Sequence, residues 1–294
     1  LVSRTMPVDS IIIADHCRNL ATKWVFHVSD PMSCRMVRGL TWKNSLAALI
    51  NRYWLKRAFR HADAFSVTCD NALKYYREML GPIVGTKPCF VTTHIGDFAL
   101  RSETKQELVC EKPYVGKLIV HPGELHKQRG GQAILDSVAR LNARGRACTF
   151  VQAGNVNRAM EPLIEQAKHV AIYNRESIGL AVSATQLADV VFVPDYSIGN
   201  RYSGTLMSKF VYQVYEDKPI VVYSVYDSAK RRYAEKYPEA GIFWADKTRP
   251  ESLDDALERA FSFDAAKIDR RQIRAEFSAK AVASKFVSDI NQLI

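Results

Sequence analysis

The sequence has no long hydrophobic runs and no closely spaced cysteine pairs. Its unbroken apolar runs are about four or five residues long, whereas a helix that crosses a bilayer needs about 20 apolar residues. No two cysteines show the Cys-x-x-Cys spacing of a zinc or redox site, and a chain of 294 residues is too long to depend on disulfides. We therefore predict that the cysteines are small core residues in a reducing compartment. They are Cys17, Cys34, Cys69, Cys89, Cys110 and Cys148.

Acidic residues are absent between Asp30 and Asp63, although basic residues are frequent there. The whole chain holds 41 Lys and Arg against 31 Asp and Glu, a net charge of +10. The surplus is +6 in residues 1–112 and +4 in the longer remainder. Such a surplus favours an anionic partner, which could be nucleic acid, a phosphorylated ligand or a membrane surface. No nucleic-acid motif accompanies the charge, so nucleic acid is not a predicted partner.

The acid-free stretch contains one predicted helix, residues 41–62. Apolar residues such as Leu46, Leu49 and Tyr53 recur at helical spacing. One interpretation is a basic amphipathic helix that rests on anionic lipid; the other is a surface helix whose charged face is solvated. We expect a cytoplasmic protein, and on the first interpretation it is peripheral on the inner face of the cell membrane. The predicted membrane-facing residues are Arg52, Lys56, Arg60 and Trp54.

Short β-rich runs alternate with helical segments along the whole chain. This order predicts parallel sheets covered by helices, hence an α/β fold of two doubly wound, Rossmann-like domains facing across a cleft. We place them at residues 1–112 and 113–294, with C-terminal helices whose last member crosses back. The first domain is short, so we expect the chain to begin inside a longer protein. The predicted strands are 9–14, 24–28, 64–68, 89–93, 118–121, 148–153, 170–173, 190–193, 220–223 and 241–244.

Residues 121–131 are the first segment with the features of a phosphate site. The segment follows a strand and opens a helix, and helix N-termini favour anions. Gly123 permits a tight turn, and Lys127 and Arg129 bring positive charge to it. The other interpretation is a tight strand-to-helix loop with incidental basic residues.

Residues 194–210 form the second such segment. We predict that Ser203, Gly204 and Thr205 open a helix over residues 206–215 and that Lys209 lies about one turn into it. The other interpretation is a glycine-containing N-cap with a solvated lysine. Two anion sites in one domain favour a diphosphate ligand over a single phosphate.

The order of these segments resembles the retaining glycosyltransferases of the two-domain GT-B fold near family 4. That family has the pattern Gly-Arg-Leu-x-x-x-Lys-Gly between a strand and a helix, and residues 123–130 read Gly-Glu-Leu-His-Lys-Gln-Arg-Gly. Arg129 keeps the charge of the family's lysine, whereas Glu124 reverses that of its arginine. Further similar segments are Val-Gln-Ala-Gly-Asn at 151–155, Ala-Asp-Val-Val-Phe-Val-Pro at 188–194, Ser-Gly-Thr-Leu-Met-Ser-Lys at 203–209 and Asp-Lys-Pro-Ile-Val at 217–221.

The resemblance implies transfer of a sugar from a nucleotide-diphosphate sugar to an acceptor hydroxyl, with retention, in polysaccharide or glycolipid assembly. Its acceptor would be a glycan or a lipid-linked glycan. His27 takes the place of the family's histidine near the donor sugar, with Asp30 and His16 as further catalytic candidates. The implied donor-binding residues are Gly123, Lys127, Arg129, Gly154, Asn155, Ser203, Gly204, Thr205 and Lys209.

The sequence departs from the family at its paired glutamates. Counting back from Pro219 places Tyr212 and Gly204 at those positions. The alternative is therefore a non-catalytic glycosyltransferase-like subunit, and a sugar-nucleotide epimerase of the same fold is a further candidate. No Asp-x-Asp pair lies in a suitable loop, so no metal site and no cofactor are predicted.

Overall fold

The protein is described by a computed structural model that covers residues 1–4, 9–21, 23–29, 42–97, 114–173, 178–197 and 201–293. The chain divides into two compact units. Unit 1 comprises Leu1–His94, Gly204–Leu206 and Lys280–Ile294, and unit 2 comprises Ile95–Ser203 and Met207–Ala279. The domain boundary predicted at residue 112 lies outside the described residues.

Unit 1 is built on a parallel sheet of four strands in the order β1-β2-β3-β4. Its core is aromatic, because the buried ring of Phe59 contacts those of Phe26, Phe65 and Tyr76 at centroid distances of 5.3, 4.7 and 5.0 Å. The elements are β1 (Val2–Arg4), α1 (Asp9–Cys17), β2 (Val25–Val28), α2 (Trp42–His61), β3 (Ala64–Val67), α3 (Asp70–Leu80), β4 (Cys89–Val91) and α11 (Ala279–Asn291).

Residues 9–14, predicted as a strand, lie in helix α1 instead. A short apolar run fits a buried strand or a buried helix equally well, and tertiary contacts decide between them. Ile11, Ala14 and Asp15 are buried, which is helical spacing. Asp15 also accepts hydrogen bonds from Arg57 on α2. The packing of α1 on α2 therefore selects the helix.

Unit 2 is built on a parallel sheet of six strands in the order β10-β9-β8-β5-β6-β7. This is the doubly wound Rossmann order, in which the strand sequence reverses between the first and the fourth strand. Here the reversal lies between β5 and β8. The strands are β5 (Lys117–Pro122), β6 (Cys148–Ala153), β7 (Val170–Tyr173), β8 (Val190–Pro194), β9 (Ile220–Ser224) and β10 (Ile242–Asp246).

The helices of unit 2 alternate with its strands, as the sequence predicted. The apolar sides of α4 and α9 share a buried core with β5, β6, β8 and β9, which includes Ile134, Phe150, Phe192 and Leu257. The α/β class with two parallel sheets is confirmed. The helices are α4 (Gly131–Ala143), α5 (Glu161–Gln166), α6 (Ile178–Leu187), α7 (Ser208–Gln213), α8 (Ala229–Lys236), α9 (Glu251–Ser262) and α10 (Arg271–Glu276).

One helical prediction in unit 2 has a wrong start, and one helix was missed. Helix α7 begins at Ser208, later than predicted, so Ser203, Gly204 and Thr205 do not open it. Helix α8 was not predicted, because Ala-Lys-Arg-Arg-Tyr-Ala-Glu-Lys is highly polar. The side chain of Ser228 caps it by accepting from Arg231 N at 3.1 Å. Within the described residues, no helix has the length and hydrophobicity to span a bilayer.

Candidate functional site

The carboxyl ends of β5 and β8 form the reversal point of the unit 2 sheet. Ligands of open α/β sheets bind at this kind of position, because the loops after the two strands diverge there. His121, in β5, joins the two strands: its Nδ1 lies 3.0 Å from the backbone oxygen of Phe192 in β8. The first predicted phosphate segment starts here, at the carboxyl end of β5.

The ammonium group of Lys209 lies against the backbone of Gly123, and this contact joins the two predicted phosphate segments. A β-carbon at Gly123 would stand 2.0 Å from Lys209 Nζ, so the lysine side chain would have to move to admit it. Gly123 has φ +155°. Gly154, after β6, packs on the same turn, and a β-carbon there would stand 2.4 Å from the oxygen of Gly123. Three predicted residues are thus brought together, because neither glycine carries a side chain that would hold the other groups away.

Further basic groups surround this turn. Arg129 is half-buried, and its guanidinium lies 5.8 Å from the ring centre of Tyr196, which follows β8. Lys127 is exposed in the same loop. Lys247, which follows β10, donates to the backbone oxygen of Gln128 at 2.7 Å. The sequence argument missed Lys247, because nothing local in the sequence indicates that it reaches a loop about 120 residues earlier.

Burial and neighbouring charge act together on the ionisable groups of this edge. Burial, together with the positive charge of Lys209 and, more weakly, of Arg129, lowers the pKa of His121 to about 4 against the opposing effect of two backbone oxygens. Burial also lowers the pKa of Lys247, although Asp195 opposes the shift. An electropositive, partly dehydrated edge is suited to binding an anion.

The second predicted segment reaches the site differently from the prediction. Ser203 is buried and pairs through its backbone with Asp227, whose oxygen lies 2.8 Å from Ser203 N. Gly204 and Thr205 are buried and belong to unit 1, and α7 has only six residues. The segment therefore contributes the side chain of Lys209 rather than amides at a helix start. Asn155 is exposed after β6.

A buried ion pair supports the end of β8. Lys230 Nζ, at the start of α8, lies 2.7 Å from Asp195 Oδ1, and both side chains are 0% exposed. Such a pair fixes two elements in register, because either charge alone would be costly to bury. The sequence argument did not identify it, since 35 residues separate the partners.

The three catalytic candidates belong to a different part of the chain. His27, in β2, is half-buried, and its Nδ1 lies 3.0 Å from Ser66 Oγ in β3. His16 is exposed on α1, where its ring lies 6.5 Å from that of Trp54. Asp30 lies outside the described residues. His27 and His16 thus lie on different elements, strand β2 and helix α1.

Helix α2 turns an apolar stripe away from the core. Leu46, Leu49, Ile50 and Tyr53 are 44–54% exposed, whereas residues such as Leu55 on the opposite face are buried. The predicted membrane-facing residues lie beside this stripe: Arg52 and Arg60 are exposed, and Lys56 and Trp54 are half-buried.

The described part of the chain contains no group of three or more His, Cys, Asp or Glu side chains that could hold a metal ion. No disulfide bond joins the cysteines that it includes; Cys69 and Cys148 are buried, and Cys17 and Cys89 are half-buried.

Comparison with known proteins finds similar structures but no similar sequences. No protein-family model matches the chain, and no curated protein matches its sequence. The sucrose-phosphate synthase of Thermosynechococcus elongatus superposes with a TM-score of 0.67 over 99% of this chain and 73% of its own, at 14% identity. The E. coli trehalose-6-phosphate protein bound with UDP-2-fluoro glucose gives 0.60 over 97% and 77%, at 12% identity.

A third similar structure is the catalytic domain of starch synthase IV from Arabidopsis thaliana, bound to ADP and acarbose. It gives a TM-score of 0.59 over 97% of this chain and 70% of its own, at 12% identity. At sequence identities this low, the superpositions establish the fold of this chain and do not establish its activity. The two parallel sheets of this chain, with their helices, are those of the GT-B fold that these structures share.

Proposed function

We propose that this protein is a glycosyltransferase that transfers a sugar from a nucleotide-diphosphate sugar to an acceptor hydroxyl with retention. The observation that carries the proposal is the contact of Lys209 with Gly123 at the reversal point of the unit 2 sheet. Open α/β sheets bind ligands at such a reversal point, and a cation beside it supports an anionic ligand. The solved structures with UDP-2-fluoro glucose and with ADP support a nucleotide ligand for the same fold.

The difficult step of such a transfer is departure of the nucleoside diphosphate, which gains negative charge as the bond to the sugar breaks. Lys209 and Arg129 would stabilise that charge from positions fixed before the reaction, which is usually the largest catalytic contribution. Gly123, which has no side chain, leaves the space beside the turn that the end of Lys209 occupies. His27 would hydrogen-bond near the reacting sugar. This mechanism uses no metal ion and no cofactor.

The test of the proposal is a binding and turnover experiment on the whole chain. UDP-glucose and ADP-glucose are titrated calorimetrically, and hydrolysis or transfer of labelled glucose is followed in parallel. Lys209→Met is expected to weaken binding about tenfold or more, since a charge-assisted contact contributes about 1.5–3 kcal/mol. Lys168→Met, at an exposed lysine in the turn before β7, is the matched control. Folded protein that binds no nucleotide sugar would contradict the proposal.

The same experiment distinguishes a non-catalytic subunit. The positions of the family's paired glutamates hold Tyr212 and Gly204, neither of which carries a carboxylate. Nucleotide-sugar binding without hydrolysis or transfer to any acceptor would favour the subunit. Turnover that is lost in His27→Ala would favour the enzyme.

The proposed acceptor is a glycan or a lipid-linked glycan, and the proposed location is the inner face of the cell membrane. Helix α2 supports this: its exposed apolar stripe is bordered by Arg52, Lys56 and Arg60, a pattern suited to insertion between anionic headgroups. Binding to liposomes with and without anionic lipid tests it by flotation.

The informative variant for flotation is Arg52→Glu/Lys56→Glu/Arg60→Glu, which should abolish salt-sensitive binding to anionic liposomes. A control with the same charge change in the same unit is Lys74→Glu/Arg77→Glu/Lys280→Glu, at exposed positions on α3 and α11. Equal binding by the two variants would refute the lipid surface and leave the proposed transfer reaction untouched.

A further inference from the structure

His121 is held between two backbone oxygens, an environment that a neutral imidazole satisfies only in part. Its Nδ1 lies 3.0 Å from the oxygen of Phe192, and its Nε2 lies 3.3 Å from the oxygen of Glu124. A neutral ring carries one N–H, so one nitrogen directs a lone pair at a carbonyl oxygen. The imidazolium form would donate to both, so the geometry of the site favours a protonated ring.

The surrounding charge opposes that protonation. The charged groups that act on the ring are Lys209 on α7 and Arg129 in the loop before α4. The neighbouring strands contribute the uncharged side chains of Gln152, its register partner in β6, and Phe192 in β8, whose ring lies 6.1 Å away. The side chain of Glu124, whose backbone oxygen faces the ring, pairs with His126 at 3.1 Å.

The ring is also buried, since His121 is 2% exposed. Burial and the two cations keep the ring neutral and lower the pKa of His121 to about 4 in the protein without ligand. An anion that neutralises Lys209 and Arg129 removes one of these two causes and adds an attraction for positive charge.

We propose that His121 is a ligand-responsive member of the anion site: it takes up a proton from solvent when an anion binds at Lys209 and Arg129, and it then donates to both backbone oxygens. The proton goes to whichever ring nitrogen is bare in the neutral form. This inference rests on the proposed function for the position of the anion. The protonated ring of His121 becomes a third cation of the site only when the anion is bound.

The consequence is proton-linked affinity. Binding of the anion should be tighter at pH 5.5 than at pH 7.5, because the complex holds a proton that the empty protein lacks. UDP-glucose, ADP-glucose and inorganic sulfate are suitable probes, since their anionic groups do not titrate in this range. Any proton that is taken up on binding is therefore bound by the protein and not by the probe.

The experiment is calorimetric titration of the whole chain at pH 6 in buffers of different ionisation enthalpy, which measures protons taken up per ligand bound. We expect about half a proton or more in the wild type, as for a group whose pKa rises from about 4 to near 6 or above. We expect almost none in His121→Gln. His126→Gln, at the other histidine of the same loop, should retain the uptake.

A second measurement does not depend on a variant that folds. In protein labelled with ¹⁵N-histidine, the two ring nitrogens of His121 should shift from the neutral to the imidazolium pattern when a probe is added at pH 6. A ring that stays neutral in the saturated protein would overturn the inference and leave the proposed function standing. Sulfate binding with proton uptake, without binding of either nucleotide sugar, would support the inference on His121 and contradict the proposed function. If no probe binds, both the inference and the proposed function are overturned.

Discussion

Lys209 Nζ rests on the α-carbon of Gly123, so close that a β-carbon at residue 123 would stand 2.0 Å from it. The two residues are 86 positions apart in the sequence, and the contact forms where the order of the unit 2 strands reverses. A cation that already lies at this place needs little rearrangement when an anion arrives.

Replacing Gly123 with alanine should weaken anion binding more than it weakens the fold. The methyl group would displace the end of a flexible lysine side chain, so we expect a several-fold rise in Kd for UDP-glucose with a stability loss of about 1 kcal/mol. Gly145→Ala is the matched control, because Gly145 also has positive φ (+77°) but has no atom within 4 Å of the added carbon. Equal affinity of the two variants would contradict the role of the contact.

Removing Lys230 should destabilise unit 2 strongly. Lys230→Met leaves the carboxylate of Asp195 buried without its ion-pair partner, which typically costs about 3–5 kcal/mol. The double variant Lys230→Met/Asp195→Asn, which removes both charges, should recover part of that loss. Urea denaturation followed by circular dichroism measures the three proteins, and a double variant no better than the single one would show that the charge is not the cause.

Arg270 should prove essential for the end of α7, the helix that carries the ammonium group of the anion site. The buried guanidinium donates to the backbone oxygens of Gln213, Lys218 and Ala240 at 3.1, 2.6 and 2.7 Å. Arg270→Ala removes the guanidinium from all three oxygens, so we expect a loss of about 3 kcal/mol or more in the free energy of unfolding. The exposed neighbour provides the control: Arg271→Ala should change it by less than about 1 kcal/mol.

Acid should loosen the packing of α4 against α9 through Asp254. Burial raises the pKa of this carboxyl, but hydrogen bonds from Arg140 and Ser137 outweigh burial and lower the pKa below its ordinary 3.8. Its contribution to stability is therefore complete above pH 3.8 and is lost as the pH falls through the lowered value. Asp254→Asn should flatten the fall in unfolding free energy between about pH 4 and pH 2, whereas Asp136→Asn, at an exposed carboxyl on α4, should leave it unchanged.

Most strands could be predicted because their signal is local. Cys148–Ala153 and Val170–Tyr173 coincide with the predicted bounds, since a buried parallel strand is a short apolar run between polar turns. Helix α1 shows the limit of the same argument. Its three isoleucines are compatible with a strand or with a helix. The helix is the element that pairs Asp15 with Arg57, which lies 42 residues away in the sequence.

The sequence by itself determined the alternation of strands and helices, the glycine at the turn after β5 and the supply of basic residues near it. Only the tertiary structure decided that Lys209 meets Gly123, that Lys247 reaches the loop before α4 and that His121 is buried between two backbone oxygens. The reason is physical. Periodicity and turn chemistry act over a few neighbouring residues, whereas the approach of two loops depends on strand order, which local residues do not encode.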